Sequence, residues 1–373
     1  MKQWILPGGA GINLLKSTES SVPEVSGYDV LVKFHAASLN FRDLMIVEVG
    51  PRLEHESSHP NSHSRERITG PQGMTSFHGT FFPLPFQCHS ASAQLKFISS
   101  DAAGEVITIG DKVTRFQPGQ RVIPAFYQSF LAGTMSLAHN MTALGGSIDG
   151  VLREYGSFNE QGLVLIPDSL SYREAATLPC AALTAWDALY GAKPLRPGDS
   201  VLVQGTGGVS VFALQFARAG GAEVIATTSC AEKEEFVKSL GAKHVINYRT
   251  DEQWGQTAKD LSLDKRGTDY VIEIGGPNTM AQSCLASAIN GVIAIVGTRG
   301  GRGNVETSHT NLSTNRRIMV GNRLQLEEMI RAIVANGIKP VIDPKVFKFE
   351  EVKEAFQYLK DANHLGKVVV DII

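Results

Sequence analysis

The sequence predicts an α/β chain in two parts, with a doubly wound parallel sheet in its second half and a small, irregular, strand-rich barrel ahead of it. Three observations lead there. Near residue 200 a short apolar run ends in a glycine turn and opens at once into an apolar helical stretch. Further β-branched runs, each closed by glycine, follow at helix-sized intervals. The length of 373 residues also exceeds what one hydrophobic core usually serves, so two domains are expected.

Composition is that of an ordinary folded protein, since 43% hydrophobic and 19% charged residues are too apolar for disorder. Lys plus Arg is 35 and Asp plus Glu 37, a net charge of −2, with no basic block. That balance argues against nucleic acid and against an anionic membrane as partners. Cys88, Cys180, Cys230 and Cys284 are scattered, which argues against a disulfide framework or a CxxC site and fits a reducing compartment. Pro7, Gly8, Gly9 and Gly11 break the apolar start of the chain, so the reading expects a cytoplasmic protein.

The early strands are Asp29 to Phe34 (DVLVKF), Ala103 to Gly110, Val113 to Val122 and Gly162 to Pro167. Their alternating apolar residues and Gly/Pro turns suggest the small barrel. Between them, from about residue 50 to 99, neither helical nor strand period appears, although five of the ten histidines fall there. An irregular surface insertion is expected. His55, His59 and His63 have helical spacing, but Pro60 and the Ser/Asn run oppose the helix a metal site would need.

Ser200 to Gln204 (SVLVQ) reads as a buried strand, Gly205-Thr206-Gly207-Gly208 as a turn, and the stretch from Val209 as a helix. Glycines there let the backbone approach a pyrophosphate, and the helix N-terminus offers N–H groups and positive dipole to the anion. Ser210 stands where the third glycine of such a turn would fall. Glu223 to Thr227, His244 to Asn247, Asp269 to Ile274 and Gly291 to Val296 are the further strands, with a helix from Lys233 to Leu240. The last two strands close on Gly275-Gly276 and on Gly297. Five strands so arranged make a dinucleotide-binding Rossmann domain.

Where an NAD site places an acid after the second strand, this chain has Thr227-Thr228-Ser229-Cys230. Thr228, Ser229, Lys233 and Tyr248 can donate to a ribose 2′-phosphate, so NADPH is the expected cofactor. The alternative reading of Lys233 is a solvated helix charge, and of Tyr248 a rim aromatic.

The ordered set AAGEVITIGDKVTRFQPGQRV, LPCAALTAWDAL (178–189), QGTGGVS and HLGKVVVDI (364–372) resembles the medium-chain dehydrogenase/reductase superfamily. The resemblance implies a chaperonin-10-like barrel made from both chain ends, 1–174 and 321–373, with the dinucleotide domain 175–320 inserted. The stretch from Ile338 to Phe349 would return the chain to the barrel, and the active site would lie in the cleft. It implies that Thr184 lies near the nicotinamide and that Gly321, Arg323 and Lys367 approach the cofactor, Lys367 being otherwise a solvated strand residue. With these stand the turn residues Gly205, Thr206, Gly207, Gly208 and Val209 and the strand-closing Gly297. A homodimer through a sixth strand is common in such a family.

Zinc-bearing members use Cys, His and Cys; the matching positions here hold Asn40, Ser100 and Cys180, which is not a zinc donor set. The LNFRD run at Leu39 to Asp43 resembles zinc-free quinone oxidoreductases and enoyl reductases. This implies NADPH-dependent hydride transfer to a quinone or α,β-unsaturated carbonyl, where charge spreads over an enolate or hydroquinone. An alcohol dehydrogenase or aldehyde reductase is the alternative in the same family, and a catalytically silent NADPH-binding or structural protein is the alternative from another class. Asn40 would bond the substrate carbonyl or the nicotinamide ribose. Arg42 and Asp43 would either flank it or form a structural ion pair. Phe41 cannot donate a proton, so solvent is the expected source.

Overall fold

The computed structural model describes residues 1–50, 96–297 and 312–373. Most of the irregular stretch, with His55, His59 and His63, lies outside them. In chain order the elements are β1 (Lys2–Leu6), β2 (Lys16–Glu19), β3 (Asp29–Leu39), α1 (Phe41–Val49), β4 (Lys96–Phe97), β5 (Asp101–Ile109), β6 (Arg121–Pro124), α2 (Leu137–Asn140), β7 (Tyr155–Asn159), β8 (Leu163–Leu165), α3 (Tyr172–Ala176) and α4 (Leu183–Tyr190). There follow β9 (Ser200–Gln204), α5 (Gly208–Ala219), β10 (Glu223–Thr228), α6 (Ala231–Ser239), β11 (His244–Asn247), α7 (Trp254–Leu261), β12 (Thr268–Glu273), α8 (Pro277–Ala286), β13 (Ser287–Ile295), β14 (Thr314–Arg317), α9 (Arg323–Ala335), β15 (Phe347–Lys348), α10 (Val352–Asp361) and β16 (Val368–Asp371).

The second half forms a six-stranded parallel sheet in the order β11-β10-β9-β12-β13-β14. This is the doubly wound order, and its crevice lies beyond the carboxyl ends of the strands, where β9 gives way to the glycine turn. The central strand β9 is buried at every position, which is why it reads as an unbroken apolar run rather than an alternating one. The sheet has one strand more than the sequence suggests. β14 is Thr-Asn-Arg-Arg, mostly exposed, and a polar edge strand carries no apolar signal.

The other large sheet runs β15-β16-β3-β5-β6-β8, with β7 also paired to β3. Its middle strand comes from the N-terminal part of the chain and β16 from the C-terminal part, antiparallel, with Leu39 opposite Val368. This is the irregular GroES-like barrel, closed by both ends of the chain. Two sequence expectations need correction. Of Val113 to Val122 only Arg121 and Val122 lie in a strand, because Pro118 and Gly119, the latter at φ 87°, turn the chain. Lys96 to Ser99 belongs to the fold: β4 pairs with β1, placing Phe97 opposite Ile5, and Ile98 is buried.

One apolar cluster continues from barrel residues such as Ala36 and Ile123 through Leu178, Ala181 and Leu183 to Val203 and Phe212 of the parallel sheet. The segment before α4 is therefore the shared floor on which both sheets rest. Among the described residues no helix is long and apolar enough to cross a membrane.

Candidate active site

The glycine turn is an open cradle. Gly205 has φ 73°, and a methyl group built on it or on Gly207 meets nothing within 4 Å. Gly207 caps α5 without a side-chain bond, and the amides of the first helical turn have no intrahelical acceptor. Ser210, at the third-glycine position, is buried, and its hydroxyl donates to the Gln204 carbonyl at 2.6 Å. A small hydroxyl thus replaces glycine by tying the helix back to the strand. Thr206 is buried beside them, and its carbonyl accepts from the Gly366 amide at 3.0 Å.

At the end of β10, Thr228 is 1% exposed, and its hydroxyl has no hydrogen-bond partner among the described residues. An orphaned donor is costly unless a ligand meets it. Ser229 beside it is half-buried. Lys233 lies in the first turn of α6 and donates to the Ala362 carbonyl at 3.4 Å. Tyr248 is exposed on the rim, with its backbone amide on the Thr228 carbonyl at 3.1 Å. The open glycine cradle and the orphaned Thr228 hydroxyl together fit a dinucleotide.

The second part of the site is set by strand register. Ser38 lies opposite Asp101 on one side of β3, and Leu39 lies opposite Val368 on the other. Asn40, Ser100, Asp101 and Lys367 therefore converge at the ends of three neighbouring strands. Lys367, 3% exposed, donates from Nζ to the Leu39 carbonyl at 2.8 Å and to Asn40 Oδ1. Asp101 Oδ2 stands 3.9 Å from the same ammonium. Asn40 Nδ2 reaches the Ser100 hydroxyl at 3.4 Å, and that hydroxyl donates to Asp101 Oδ1 at 2.8 Å. The Cys180 amide donates to Asp101 Oδ2 at 3.2 Å. Burial pushes the Asp101 carboxyl up to about 6, with Lys367 pulling it back down.

Asn40 is the N-cap of α1, and its backbone amide donates to Asp43 Oδ2 at 2.9 Å. Arg42 Nη1 bonds Asp43 Oδ1 at 3.0 Å and the Leu144 carbonyl at 2.9 Å, and its guanidinium lies 4.7 Å from the centre of the Phe126 ring. Of the two readings of Arg42 and Asp43, this geometry favours the ion pair, which fixes the cap from which Asn40 projects. Ser99, wholly buried next to Ser100, is held at φ 68°, a conformation rare outside glycine and frequent at ligand sites.

Thr184 is buried at the start of α4, just after the wide helical turn Leu178–Ala182 that carries Cys180. A methyl on Gly321 would stand 2.8 Å from Leu183 Cγ, so only glycine lets the segment lie against this helix. The residue before it, Val320, is held at φ 60°, a strained setting for a β-branched side chain. Gly297 likewise allows close approach to the Ile274 carbonyl. Arg323 is turned to other partners. It bonds the Gln161 backbone and side chain, which ties α9 to the barrel, and pairs within α9 with Glu327 at 3.5 Å (i,i+4).

Two features escaped the sequence reading. Asp101 carries no motif of its own and is identified only by strand register. Tyr127, 1% exposed, has a hydroxyl with no partner among the described residues, within electrostatic reach of Arg42 and Cys180; nothing local in AFYQSF signals that.

Zinc is the metal this fold family suggests, and the donor set does not fit it. An amide, a hydroxyl and one thiol occupy the ligand positions, and a zinc-bound cysteine must be a thiolate. Burial, reinforced by the Asp101 charge, pushes the Cys180 thiol up, away from that form. The buried Lys367 ammonium also bonds Asn40 Oδ1 at the first of these positions, and its charge repels a metal cation.

The sequence matches the alcohol dehydrogenase GroES-like domain over residues 75–168 and the zinc-binding dehydrogenase domain over 208–339. It is 38% identical over 373 residues to a zinc-type alcohol dehydrogenase-like protein of Schizosaccharomyces pombe, covering 97% of this chain and 96% of that one. It is 29% identical over 374 residues to an NADPH-dependent alkenal/one oxidoreductase, chloroplastic, of Arabidopsis thaliana, covering 99% and 79%. Among solved structures, a protein of Sinorhizobium meliloti 1021 described as an alcohol dehydrogenase superposes with a TM-score of 0.82 at 35% identity, covering 100% and 98%. The chain belongs to the medium-chain dehydrogenase/reductase superfamily. Members are oxidoreductases that bind a nicotinamide cofactor.

Proposed function

We propose that this chain is an NADPH-dependent, zinc-independent reductase of α,β-unsaturated carbonyls or quinones. The observation that carries the reading is the donor set at Asn40, Ser100 and Cys180, which cannot hold zinc yet keeps hydrogen-bonding groups beside the buried Lys367 ammonium and Asp101 carboxylate. The Arabidopsis relative, by its name an NADPH-dependent alkenal/one oxidoreductase, supports the same substrate class.

The bound reduced nicotinamide would supply hydride. The first-turn amides of α5, at Gly208 and Val209, would hold the pyrophosphate over Gly205, Thr206 and Gly207. Thr228, Ser229 and Lys233 would surround the 2′-phosphate, with Tyr248 at the rim and no acid to repel it. Thr184, Gly297 and Gly321 would line the nicotinamide end. Asn40 would orient the substrate carbonyl, and Arg42 with Asp43 would hold Asn40 in place. Residues 175–320 would form the cofactor unit, and 1–174 with 321–373 the substrate-bearing barrel. Without a metal an alkoxide is poorly stabilised, whereas charge delocalised over an enolate or hydroquinone needs only hydrogen bonds and a proton. The test is NADPH oxidation against an enone, a quinone, an enoyl thioester and an aldehyde, repeated with NADH. Turnover confined to aldehydes, or equal use of the two cofactors, would count against the reading.

A further inference from the structure

The buried ammonium of Lys367 has an unusual setting. A charge withdrawn from water needs partners, and it has the Leu39 carbonyl, Asn40 Oδ1 and, at 3.9 Å, Asp101. Arg42 and Asp43, also buried, complete a balanced group of two cations and two carboxylates. An ammonium has three N–H donors. Among the described residues two are bonded, and 3.9 Å is too long for Asp101 to take the third.

Its path excludes the surface. Gly366 pairs with the glycine turn at Gly207, and the Lys367 stem then crosses Gly208 so closely that a methyl there would lie 2.5 Å from Cδ. Beyond that crossing the chain carries Nζ away from the turn and onto Leu39 and Asn40. The ammonium therefore ends on Asn40 and beside Asp101, whose carboxylate accepts from the Ser100 hydroxyl and the Cys180 amide; Asn40, Ser100 and Cys180 are the three positions at which zinc-bearing members bind their metal.

We propose that the Lys367 ammonium takes the place of the missing metal, donating its third N–H to the substrate carbonyl oxygen. This rests on the reductase reading above. As hydride from the reduced nicotinamide adds to the β-carbon, the C=C π pair forms the enolate C=C and the carbonyl π pair moves onto oxygen. Lys367 stabilises that oxygen without giving up its proton, and a proton from water at the α-carbon completes the saturated carbonyl. For a quinone the same donor faces the developing hydroquinone oxygen.

Two readouts test it, one of them independent of turnover. 4-Nitrophenol, an enolate mimic whose phenolate absorbs in the visible, is titrated with pH in the presence of the protein. A cation at the site should lower its bound pKa by about one to three units. Lys367→Met should abolish that shift and reduce NADPH-dependent turnover of 3-penten-2-one by about 10²-fold, while NADPH affinity, read by fluorescence, changes far less. Lys367→Arg keeps the charge and should keep the shift. If Lys367→Met fails to fold, Lys367→Met/Asp101→Asn removes both charges and is read in the same way. The proposal is overturned if the native protein shows no shift, if the shift survives without the lysine, or if NADPH affinity falls by the same factor as turnover. A lysine-dependent shift in a native protein that reduces neither enone nor quinone would uphold the cation and overturn the substrate reading instead.

Discussion

The glycine turn at Gly205 to Gly208 and the cluster of Asn40, Asp101 and Lys367 touch each other, yet they are built in different ways. The turn is one continuous stretch of chain that offers backbone amides and empty space, with no side chain over Gly205 or Gly207. The cluster is mostly side chains, from segments far apart in sequence and joined by two backbone groups, and it is filled with charge. Recognition by backbone tolerates change in neighbouring side chains but not an added group over the turn. Recognition by a buried charge network depends on every member, since removing one leaves another unpaired. Gly208 belongs to both, because it shapes the turn and also lets the Lys367 stem pass.

Substitutions can separate the two halves. The largest effect should come from Gly207→Asp. At φ −75° and with open space above it, the aspartate should leave the melting temperature nearly unchanged. A carboxylate facing a pyrophosphate should nevertheless weaken NADPH binding by about 10²-fold. An unchanged Kd would mean that the turn is not the cofactor cradle.

Gly208→Ala should act on the other half, because the new methyl meets Lys367 Cδ at 2.5 Å and Ala181 Cβ at 3.3 Å. Displacing the stem should lower kcat by about tenfold with a smaller change in NADPH affinity. The reverse pattern would show that Gly208 serves the turn alone. For Lys233→Ala the preference for NADPH over NADH should fall by about tenfold, the size of one charge-assisted hydrogen bond. Equal loss for both cofactors would place Lys233 away from the 2′-phosphate.

A last effect concerns Asp101 and pH. Burial lifts its carboxyl from the ordinary 3.8 to about 6, against the pull of Lys367 and with Asp43 adding to the rise. Cys180 also faces it. A folded value above the unfolded one means that the neutral acid stabilises the fold at low pH and that this contribution is lost as pH rises through about 6. Asp101→Asn is neutral throughout. Its stability relative to the native chain should therefore improve from about pH 4 to about pH 7, by something on the order of 2 kcal/mol. A difference independent of pH, measured by thermal melting, would contradict the assignment.

The same contrast explains what the sequence revealed. The strand, turn and helix from Ser200 onward are local, so spacing and glycine alone locate them, and β9 matches its expected bounds. β14 escaped because a polar edge strand has no period to read. Motif matching placed Lys367 near the cofactor, and its backbone neighbour Gly366 does pair with the glycine turn at Gly207, but the destination of a long side chain depends on the register of β3 against β5 and β16. Arg323 illustrates the same limit from the other side, since Glu327 and Gln161 hold a charge that the motif assigns to the cofactor. The zinc-site positions were legible because substitution by Asn and Ser is visible residue by residue.

The central claim is reduction without a metal, and the most direct measurement is the rate of NADPH-dependent enone reduction by the full chain before and after exhaustive chelation, with zinc content determined on the same samples. The account predicts substoichiometric zinc and an unchanged rate. One tightly held zinc per chain, with activity lost on its removal and restored by its return, would contradict it.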